Sequence, residues 1–197
     1  VNTYRFFYTM KSKIVMVTGA TSRIGKATTI LLAQNNCNLI LCVRRKNLLD
    51  AVAAEIKASY NIEITTLVMD VRNRKDVFDA VASLPESCQT IDSLINNAGL
   101  AAGLSTIDEG SMDDWDQMID TNLKGLLYIT KAAVPRMPKN GDGHIVNVGS
   151  IAAKEAYLNG NVYCATKAAV DSLSRGMRVD LSRFPIRVSA IHPGAVE

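Results

Sequence analysis

The feature that most constrains the fold of this chain is a regular alternation between two kinds of segment. From Ile14 onward, short runs rich in Val, Ile and Leu alternate with longer stretches in which apolar residues recur at helical spacing. This alternation is typical of a parallel sheet that is covered by helices. The runs lack strict polar alternation, which indicates strands that are buried on both faces.

The elements predicted from this pattern follow one another as strand and helix. The predicted strands are Ile14 to Thr18, Asn38 to Val43, Ile62 to Met69, Ser93 to Asn96, His144 to Val148 and Arg187 to Ile191. The predicted helices are Gly25 to Asn35, Lys46 to Ser59, Asn73 to Ala82, Met112 to Arg136 and Tyr163 to Ser182. Ser111 and Asp114 are a predicted capping pair at the start of the fourth helix. The order predicts an α/β fold with a doubly wound, Rossmann-type parallel sheet flanked by helices, and a ligand site at the carboxyl ends of the strands.

A single domain is enough to explain the chain. Its 197 residues fall within the roughly 100 to 200 residues of one domain, and no internal repeat or low-complexity linker marks a second unit. Met10-Lys-Ser resembles a natural start. We therefore expect residues 1–9 to be an N-terminal extension and residues 10–197 to form the domain.

Charge and composition argue against several classes of partner. The 22 basic and 19 acidic residues give a net charge of +3, and the basic residues are scattered instead of forming the stripe of a nucleic-acid surface. No apolar run approaches the roughly 20 residues needed to span a bilayer. We therefore expect neither nucleic acid nor membrane as a partner. The four cysteines lack paired spacing and the two histidines offer no metal constellation, which predicts no metal site and a reducing, cytoplasmic location.

A glycine-containing loop joins the first predicted strand to the first predicted helix. The segment from Thr18 to Lys26 contains Gly19 and Gly25. A tight glycine turn at this place directs backbone amides and the positive end of the helix dipole towards a pyrophosphate. A turn with a packing glycine is the alternative, so the loop predicts dinucleotide binding only together with the other motifs.

Two arginines end the second predicted strand and indicate which dinucleotide the chain binds. An acidic residue at this place suits the adenosine ribose of NAD, whereas arginine suits the 2′-phosphate of NADP. The strand end carries Arg44 and Arg45, and the next acidic residue is Asp50. This pattern predicts NADP; a solvated run of charges at a helix start is the alternative.

Tyr163 and Lys167 lie four residues apart in the last predicted helix, on the same face. A free phenol has a pKa of about 10, but a nearby ammonium and the positive nicotinamide of an oxidised cofactor favour the phenolate. Tyr163 is therefore suited to act as a general base in oxidation or a general acid in reduction. Ser150, at the exit of the fifth predicted strand, is placed to hold the substrate oxygen and to stabilise charge that develops on it.

In this order, the motifs resemble those of the short-chain dehydrogenases/reductases, over nearly the whole chain from Met10 to Glu197. The resemblance implies a cofactor site made of Gly19, Thr21, Ser22, Arg23, Ile24, Gly25, Arg44, Arg45, Asp70, Val71, Asn97, Ala98, Gly99, Tyr163, Lys167, Pro193 and Gly194. Asp70 and Val71 match the family's adenine contact, and Lys167 its hydrogen bond to the nicotinamide ribose. The resemblance implies a catalytic tetrad of Ser150, Tyr163, Lys167 and Asn122, in which Asn122 anchors a water of the proton relay.

Arg23 departs from the family's Thr-Gly-x-x-x-Gly-x-Gly loop, because it stands at the position of the middle glycine. A left-handed backbone conformation at this residue would cost roughly 1 to 2 kcal/mol, and the side chain would crowd the approach to the pyrophosphate. Alternatively, the guanidinium folds over a phosphate and adds a charge-assisted contact. The sequence leaves both possibilities open.

Within the family, the chain looks most like the NADP-dependent 3-hydroxy acid dehydrogenases, which act on serine or allo-threonine. The likeness lies in Leu94 to Gly103, Ile119 to Thr130 and Gly149 to Lys167. It implies a small hydroxyl or carbonyl substrate and a homo-oligomer, a tetramer. Family members continue with a substrate-covering lid and a last strand, which this sequence is expected to lack. Lys154 is expected at the pocket mouth, either near a substrate carboxylate or solvated.

Other functions stay open beside this one. The nearest enzymatic alternative is a 3-oxoacyl reductase acting on carrier-bound chains. The non-enzymatic alternatives are a catalytically idle NADP-binding regulator and a protein with an assembly or nucleic-acid-binding role. A serine hydrolase is disfavoured because Gly149-Ser150 lacks the surrounding Gly-x-Ser-x-Gly elbow and neither histidine has an evident acidic partner.

Overall fold

A computed structural model describes residues 10–21, 23–139 and 141–195 of the chain. Its strands are β1 (Ile14–Thr18), β2 (Asn38–Val43), β3 (Ile64–Val68), β4 (Ser93–Asn96), β5 (Gly143–Val148) and β6 (Ile186–Ile191). All pair in parallel, in the order β3-β2-β1-β4-β5-β6. The predicted α/β class and doubly wound parallel sheet are confirmed. Residues 1–9, the expected extension, lie outside the described residues.

β3 is shorter than the predicted strand, Ile62 to Met69. The lead-in to β3 is bound to a side chain of the neighbouring strand, because the Glu63 amide donates to Asn38 Oδ1 at 2.9 Å. The regular ladder with β2 begins at the next residue, where Ile64 pairs with Leu39.

The helices pack on both faces of the sheet. They are α1 (Arg23–Gln34), α2 (Lys46–Ser59), α3 (Arg74–Ala82), α4 (Met112–Ile119), α5 (Leu126–Ala133) and α6 (Asn161–Asp180). Ser111 Oγ accepts from the Asp114 amide, so the predicted cap of α4 is confirmed. Within the described residues, no helix is long and apolar enough to cross a membrane.

The single helix predicted from Met112 to Arg136 is interrupted. A π-helical segment, Asp120–Gly125, separates α4 from α5, and a short 3₁₀ turn, Val134–Arg136, contains a proline. Gly125 lies so close to the end of β3 that a Cβ there would be 2.9 Å from Val71 Cγ2. Helical periodicity does not distinguish a π segment from an α-helix over six residues, which is why the sequence did not reveal it.

β1 shows how the sheet divides the core into two layers. Met16 packs on one face with Val77 of α3 and Ile129 of α5. Val15 and Val17 pack on the other face with residues of α1 and α2, among them Leu49. Since successive side chains of a strand point to opposite faces, an apolar run without polar alternation is what burial on both faces requires.

The strand order places the chain's switch point beside β1. β1 pairs with β2 on one side and with β4 on the other, so the connections leave in opposite directions. A crevice forms at such a point outside the carboxyl ends of the strands. The loops after β1, β4, β5 and β6 all meet at this edge of the sheet.

Candidate active site

A cavity of about 800 Å³ opens at the carboxyl edge of the sheet. The predicted site residues that line it are Arg23, Ile24, Asn97, Gly99, Ser150, Tyr163, Lys167, Pro193 and Gly194. Gly19, Thr21 and Ala98 lie in the loops that border it, and Gly25 lies in the first turn of α1. Ser22, also predicted to bind the cofactor, lies outside the described residues. The fold therefore brings together four loops and the start of α6, which are far apart in the sequence.

The glycine loop after β1 has the close backbone approach that dinucleotide loops require. Gly19 adopts a φ of +64°, a conformation that L side chains rarely adopt. Gly25 lies directly against it, and a Cβ at Gly25 would overlap the Gly19 carbonyl oxygen. Both glycines are needed for the turn to close. The first residues of α1, Arg23 and Ile24, line the cavity, so the helix N-terminus faces the site.

Asn97 and Thr18 fasten the β4 exit to this loop. Asn97 Nδ2 donates to the carbonyls of Thr18 and Gly19, both at 3.0 Å. Thr18 Oγ1 accepts from the amides of Asn97 and Ala98, again at 3.0 Å. These bonds hold the two sides of the crevice at a fixed distance.

Arg23 adopts a φ of +42°, the left-handed conformation that its position in the glycine pattern suggested. Its side chain is exposed and lines the cavity. The backbone cost expected for a non-glycine residue is therefore present, roughly 1 to 2 kcal/mol. Whether the guanidinium meets a phosphate stays a prediction.

A basic corner lies beside the glycine loop, made of Arg44, Arg45, Asp70 and Arg72. Arg72 Nε and Nη2 donate to both carboxylate oxygens of Asp70 at 2.7 to 3.1 Å, and Arg44 Nη1 lies 3.8 Å from Asp70 Oδ2. Burial works to raise the pKa of Asp70, but the hydrogen bonds from Arg72 and the charges of Arg72 and Arg44 outweigh it and lower that pKa. Arg45, at the N-terminus of α2, is exposed.

The basic corner therefore holds three guanidinium groups against the one Asp70 carboxylate. Its charge is complementary to a phosphate, which guanidinium groups bind with charge-assisted hydrogen bonds. Val71, the second residue predicted to contact adenine, is partly buried against the core.

Tyr163 and Lys167, the Tyr–Lys pair, both line the cavity from the first turns of α6. Lys167 Nζ lies 5.8 Å from the centroid of the Tyr163 ring. The predicted arrangement of both side chains on one helix face, towards the glycine loop, is what the structure has.

Lys167 is a buried lysine, 7% exposed, whose Nζ donates to the Val148 carbonyl at 3.0 Å. Burial lowers the pKa of Lys167 to about 8. Because only one of its protons is committed to Val148, the others remain to serve groups in the cavity.

Ser150 follows β5 and begins a short 3₁₀ turn, Ile151–Ala153. Its Oγ accepts from the Ala152 amide at 3.1 Å. A hydroxyl that accepts from the backbone keeps its own proton to donate. Ser150 is therefore suited to donate a hydrogen bond to a substrate oxygen in the cavity.

Asn122 lies in the π-helical segment, 2% exposed, behind the cavity wall. Its Oδ1 accepts from the Leu100 amide at 2.9 Å, and its Nδ2 donates to the Leu100 carbonyl and to Thr166 Oγ1. Asn122 thus fixes the loop after β4 against α6. Both side-chain N–H groups are engaged, and the predicted role in anchoring a water stays a prediction.

One expectation from the sequence is wrong: His192 does have an acidic partner. Its Nε2 lies 3.2 Å from Asp171 Oδ1. Its Nδ1, however, faces the backbone carbonyl of Ser150, at 3.1 Å, and not the hydroxyl. The arrangement is therefore not that of a serine hydrolase, in which the ring must take the hydroxyl proton.

Lys154 is neither simply solvated nor directed to the cavity, since its Nζ pairs with Asp171 at 2.8 Å.

The sequence reasoning missed two residues near the site. Arg72 follows the predicted adenine contact directly, and an Asp-Val-Arg sequence was an available signal for it. Asp171 stands four residues after Lys167, so helical spacing placed it on the same face as the Tyr–Lys pair. Within the described residues, no group of three or more His, Cys, Asp or Glu side chains is arranged to hold a metal ion.

Comparison with known proteins matches this site and fold to one family. A family model described as short chain dehydrogenase matches residues 13–197. The NADP-dependent 3-hydroxy acid dehydrogenase YdfG of Escherichia coli (strain K12) is 43% identical over 183 residues, which cover 93% of this chain and 72% of the relative. The NADP-dependent 3-hydroxy acid dehydrogenase of Schizosaccharomyces pombe is 37% identical over 189 residues, or 95% and 73% of the two chains.

The likeness extends to solved structures. The closed form of serine dehydrogenase complexed with NADP+ has 44% sequence identity and a TM-score of 0.84, and the match covers 92% of this chain and 71% of that one.

Proposed function

Because the chain belongs to the short-chain dehydrogenase family, we propose that it is an NADP-dependent oxidoreductase that moves hydride between the nicotinamide and a small hydroxyl or carbonyl substrate. The observation that carries this proposal is the Tyr–Lys pair, which lines one cavity with Ser150 beside the glycine loop. A 3-hydroxy acid such as serine or allo-threonine is the proposed substrate, since relatives at 37% to 44% identity are described as acting on 3-hydroxy acids or serine.

The residues present fit an NADP molecule. The space between Gly19 and Gly25 admits no Cβ, which is the close backbone packing of a pyrophosphate loop. The guanidinium groups of the basic corner suit a 2′-phosphate, and the carboxylate of that corner, Asp70, is paired with Arg72 and Arg44. The loop from Gly19 to Gly25 would hold the pyrophosphate, and Arg44 and Arg45 the 2′-phosphate. When bound, the cofactor supplies or accepts the hydride.

Tyr163 Oη carries the proton transfer in this proposal. In oxidation it takes the proton of the substrate hydroxyl, and in reduction it gives a proton to the carbonyl oxygen. Lys167 supplies positive charge next to the phenol ring, and the protons that it does not give to Val148 are available to groups bound in the cavity. Ser150 Oγ donates to the same substrate oxygen and stabilises the charge that develops there.

We further propose a reducing, cytoplasmic location and a homotetramer. All four cysteines are buried and free, which fits a reducing compartment. Met112 and Ile119 of α4 and Leu127 of α5 expose apolar side chains, which a subunit interface would cover. Light scattering on the purified protein tests the tetramer.

The proposed function is tested with the full-length protein and a panel of substrates. NADP+ reduction with L-serine, L-allo-threonine and 3-hydroxybutyrate, and NADPH oxidation with the matching carbonyls, are measured beside NAD(H) controls. The proposal predicts turnover with at least one free 3-hydroxy acid and a preference for NADP. Turnover only with carrier-linked 3-oxoacyl chains would favour the 3-oxoacyl reductase instead, and cofactor binding without any turnover would favour the regulator.

A further inference from the structure

His192 connects α6 to the backbone of Ser150. The residue follows β6, and because β5 and β6 pair in register up to Val148 and Ile191, it emerges next to the β5 exit. Its Nδ1 lies 3.1 Å from the Ser150 carbonyl oxygen and its Nε2 3.2 Å from Asp171 Oδ1. The imidazole ring therefore joins two elements that both carry proposed catalytic groups.

Both partners of the ring are acceptors. A backbone carbonyl accepts only, and so does an ionised carboxylate. The pKa of Asp171 is lowered, first by its hydrogen bond from Lys154 and then by the charges of Lys154, Arg175 and His192, so the carboxylate is ionised near neutral pH. The Ser150 contact requires a proton on Nδ1, whereas the Asp171 carboxylate lies beside Nε2 as a charged neighbour.

Asp171 lies on the same helix face as the Tyr–Lys pair. The three side chains are spaced at i, i+4 and i+8 along α6. Asp171 Oδ2 also accepts from Lys154 at 2.8 Å and lies 3.4 Å from Arg175 Nη1. Its side chain is only 14% exposed and is fixed by the bond from Lys154, whereas Arg175, 65% exposed, adds little to that.

Gly149 makes room for the imidazole ring. A Cβ at this position would lie 2.7 Å from His192 Nδ1. The backbone on either side of Ser150 is already bound to the β6 exit, since the Gly149 amide donates to the Ile191 carbonyl at 2.7 Å and the Ile151 amide to the Pro193 carbonyl at 3.0 Å. His192 adds the bond to the Ser150 carbonyl itself.

We propose that His192, held by Asp171, is a positioning residue that fixes the Ser150 peptide and thereby aims the Ser150 hydroxyl at the substrate oxygen. The proposal rests on the proposed function, because it assigns His192 an effect on that reaction through Ser150. The ring meets only the backbone of Ser150, so His192 exchanges no proton with the substrate. Its effect is on the geometry in which the hydroxyl is presented.

Four variants of the full-length protein test this proposal: His192→Ala, His192→Asn, Asp171→Ala and, as a matched control, Arg175→Ala. The asparagine keeps a side-chain N–H close to the position of Nδ1 and so preserves the bond to Ser150, without the link to Asp171. Arg175→Ala removes a charge beside Asp171 and leaves the side chains of His192 and Ser150 unchanged. Unfolding temperature and NADPH affinity are measured for each variant, so that loss of folding is separated from loss of positioning.

We expect kcat to fall about tenfold in His192→Ala, since misplacement of a catalytic group by about 1 Å can cost up to a hundredfold. KM and the NADPH Kd should change less than about threefold. His192→Asn should recover most of the loss, and Arg175→Ala should have a wild-type kcat. Asp171→Ala should lower kcat, and combining it with His192→Ala should add little, because both act through one contact.

A second cycle links the effect to Ser150. In a Ser150→Ala background, His192→Ala should cause no further loss, because the hydroxyl that it positions is gone. An equal tenfold loss in that background would overturn the proposal, as would a wild-type kcat in His192→Ala. A wild-type protein without turnover would instead overturn the proposed function, and this proposal with it.

Discussion

The basic corner and the Tyr–Lys pair are built by opposite means, although they lie along one crevice. In the basic corner, Arg44 and Arg45 are exposed and their charges reach into solvent, where they contribute little to stability. Lys167, by contrast, is buried and hydrogen-bonded to the Val148 carbonyl. Under the proposed function, cofactor choice would therefore depend on groups that can be changed at little structural cost, whereas the proposed proton-transfer pair includes a side chain whose burial affects the stability of the fold.

The largest effect is expected from Tyr163→Phe. Removing the phenolic oxygen removes the proton donor and acceptor, which is worth about 10² to 10⁴ in rate. We expect kcat to fall by about three orders of magnitude, while the NADPH Kd, measured by fluorescence titration, changes less than about threefold. A variant that retains turnover near the wild-type rate would show that another group transfers the proton.

Lys167→Met should show how much the burial of this lysine lowers the free energy of unfolding. Because burial lowers the pKa of Lys167 from its ordinary value of 10.5 to about 8, the unfolded chain binds more protons than the folded one between these pH values. The contribution of Lys167 to stability is therefore unfavourable at pH 7, by roughly 3 kcal/mol, and disappears as the pH rises through this window.

The measurement is denaturant unfolding of the cofactor-free protein at pH 7 and pH 10. We expect Lys167→Met to be more stable than wild type at pH 7, and this advantage to shrink at pH 10. Lys57→Met, which changes an exposed lysine of α2, serves as the control and should show no such trend. A constant difference between wild type and Lys167→Met at both pH values would contradict the assignment of a lowered pKa.

Replacement of Arg44 and Arg45 by alanine should act on cofactor choice alone. A hydrogen bond to a charged group contributes about 1.5 to 3 kcal/mol, so the preference for NADP over NAD should fall about 10- to 100-fold. The free energy of unfolding without cofactor should stay within about 0.5 kcal/mol of wild type, because both side chains are exposed. An unchanged ratio of kcat/KM for the two cofactors would remove these residues from the 2′-phosphate site.

Arg23→Gly, at a residue that lines the cavity, should have the smallest effect. Glycine relieves the left-handed backbone conformation at φ +42°, so stability should rise by about 1 kcal/mol. The NADPH Kd then separates the two readings of this residue. Tighter binding indicates that the side chain crowds the pyrophosphate, and weaker binding indicates that the guanidinium contacts a phosphate.

Much of the fold follows from local sequence, for identifiable reasons. The strands β1, β2 and β4 have the predicted bounds, because each is an apolar run in which polar residues stand only at the ends. The Tyr–Lys pair was predictable because its spacing lies within one helix. The same holds for the Ser111 cap, whose partner is three residues away.

The residues that escaped prediction depend on long-range packing. Asp171 and His192 are 21 residues apart and meet only because β6 returns beside β5. The π segment around Asn122 arises where Gly125 packs against Val71, a contact between two distant parts of the chain. Neither contact leaves a periodic signal in the sequence.

The central claim is that Tyr163 Oη passes a proton while hydride moves between NADP(H) and substrate carbon. The most direct test uses NADPH that carries two deuterium atoms at C4 of the nicotinamide, with acetoacetate or another small 3-oxo acid, followed by mass spectrometry of the hydroxy acid. The account predicts one deuterium on the carbinol carbon of the wild-type product, and almost no product from Tyr163→Phe. Product without deuterium, or equal labelled product from Tyr163→Phe, would contradict it.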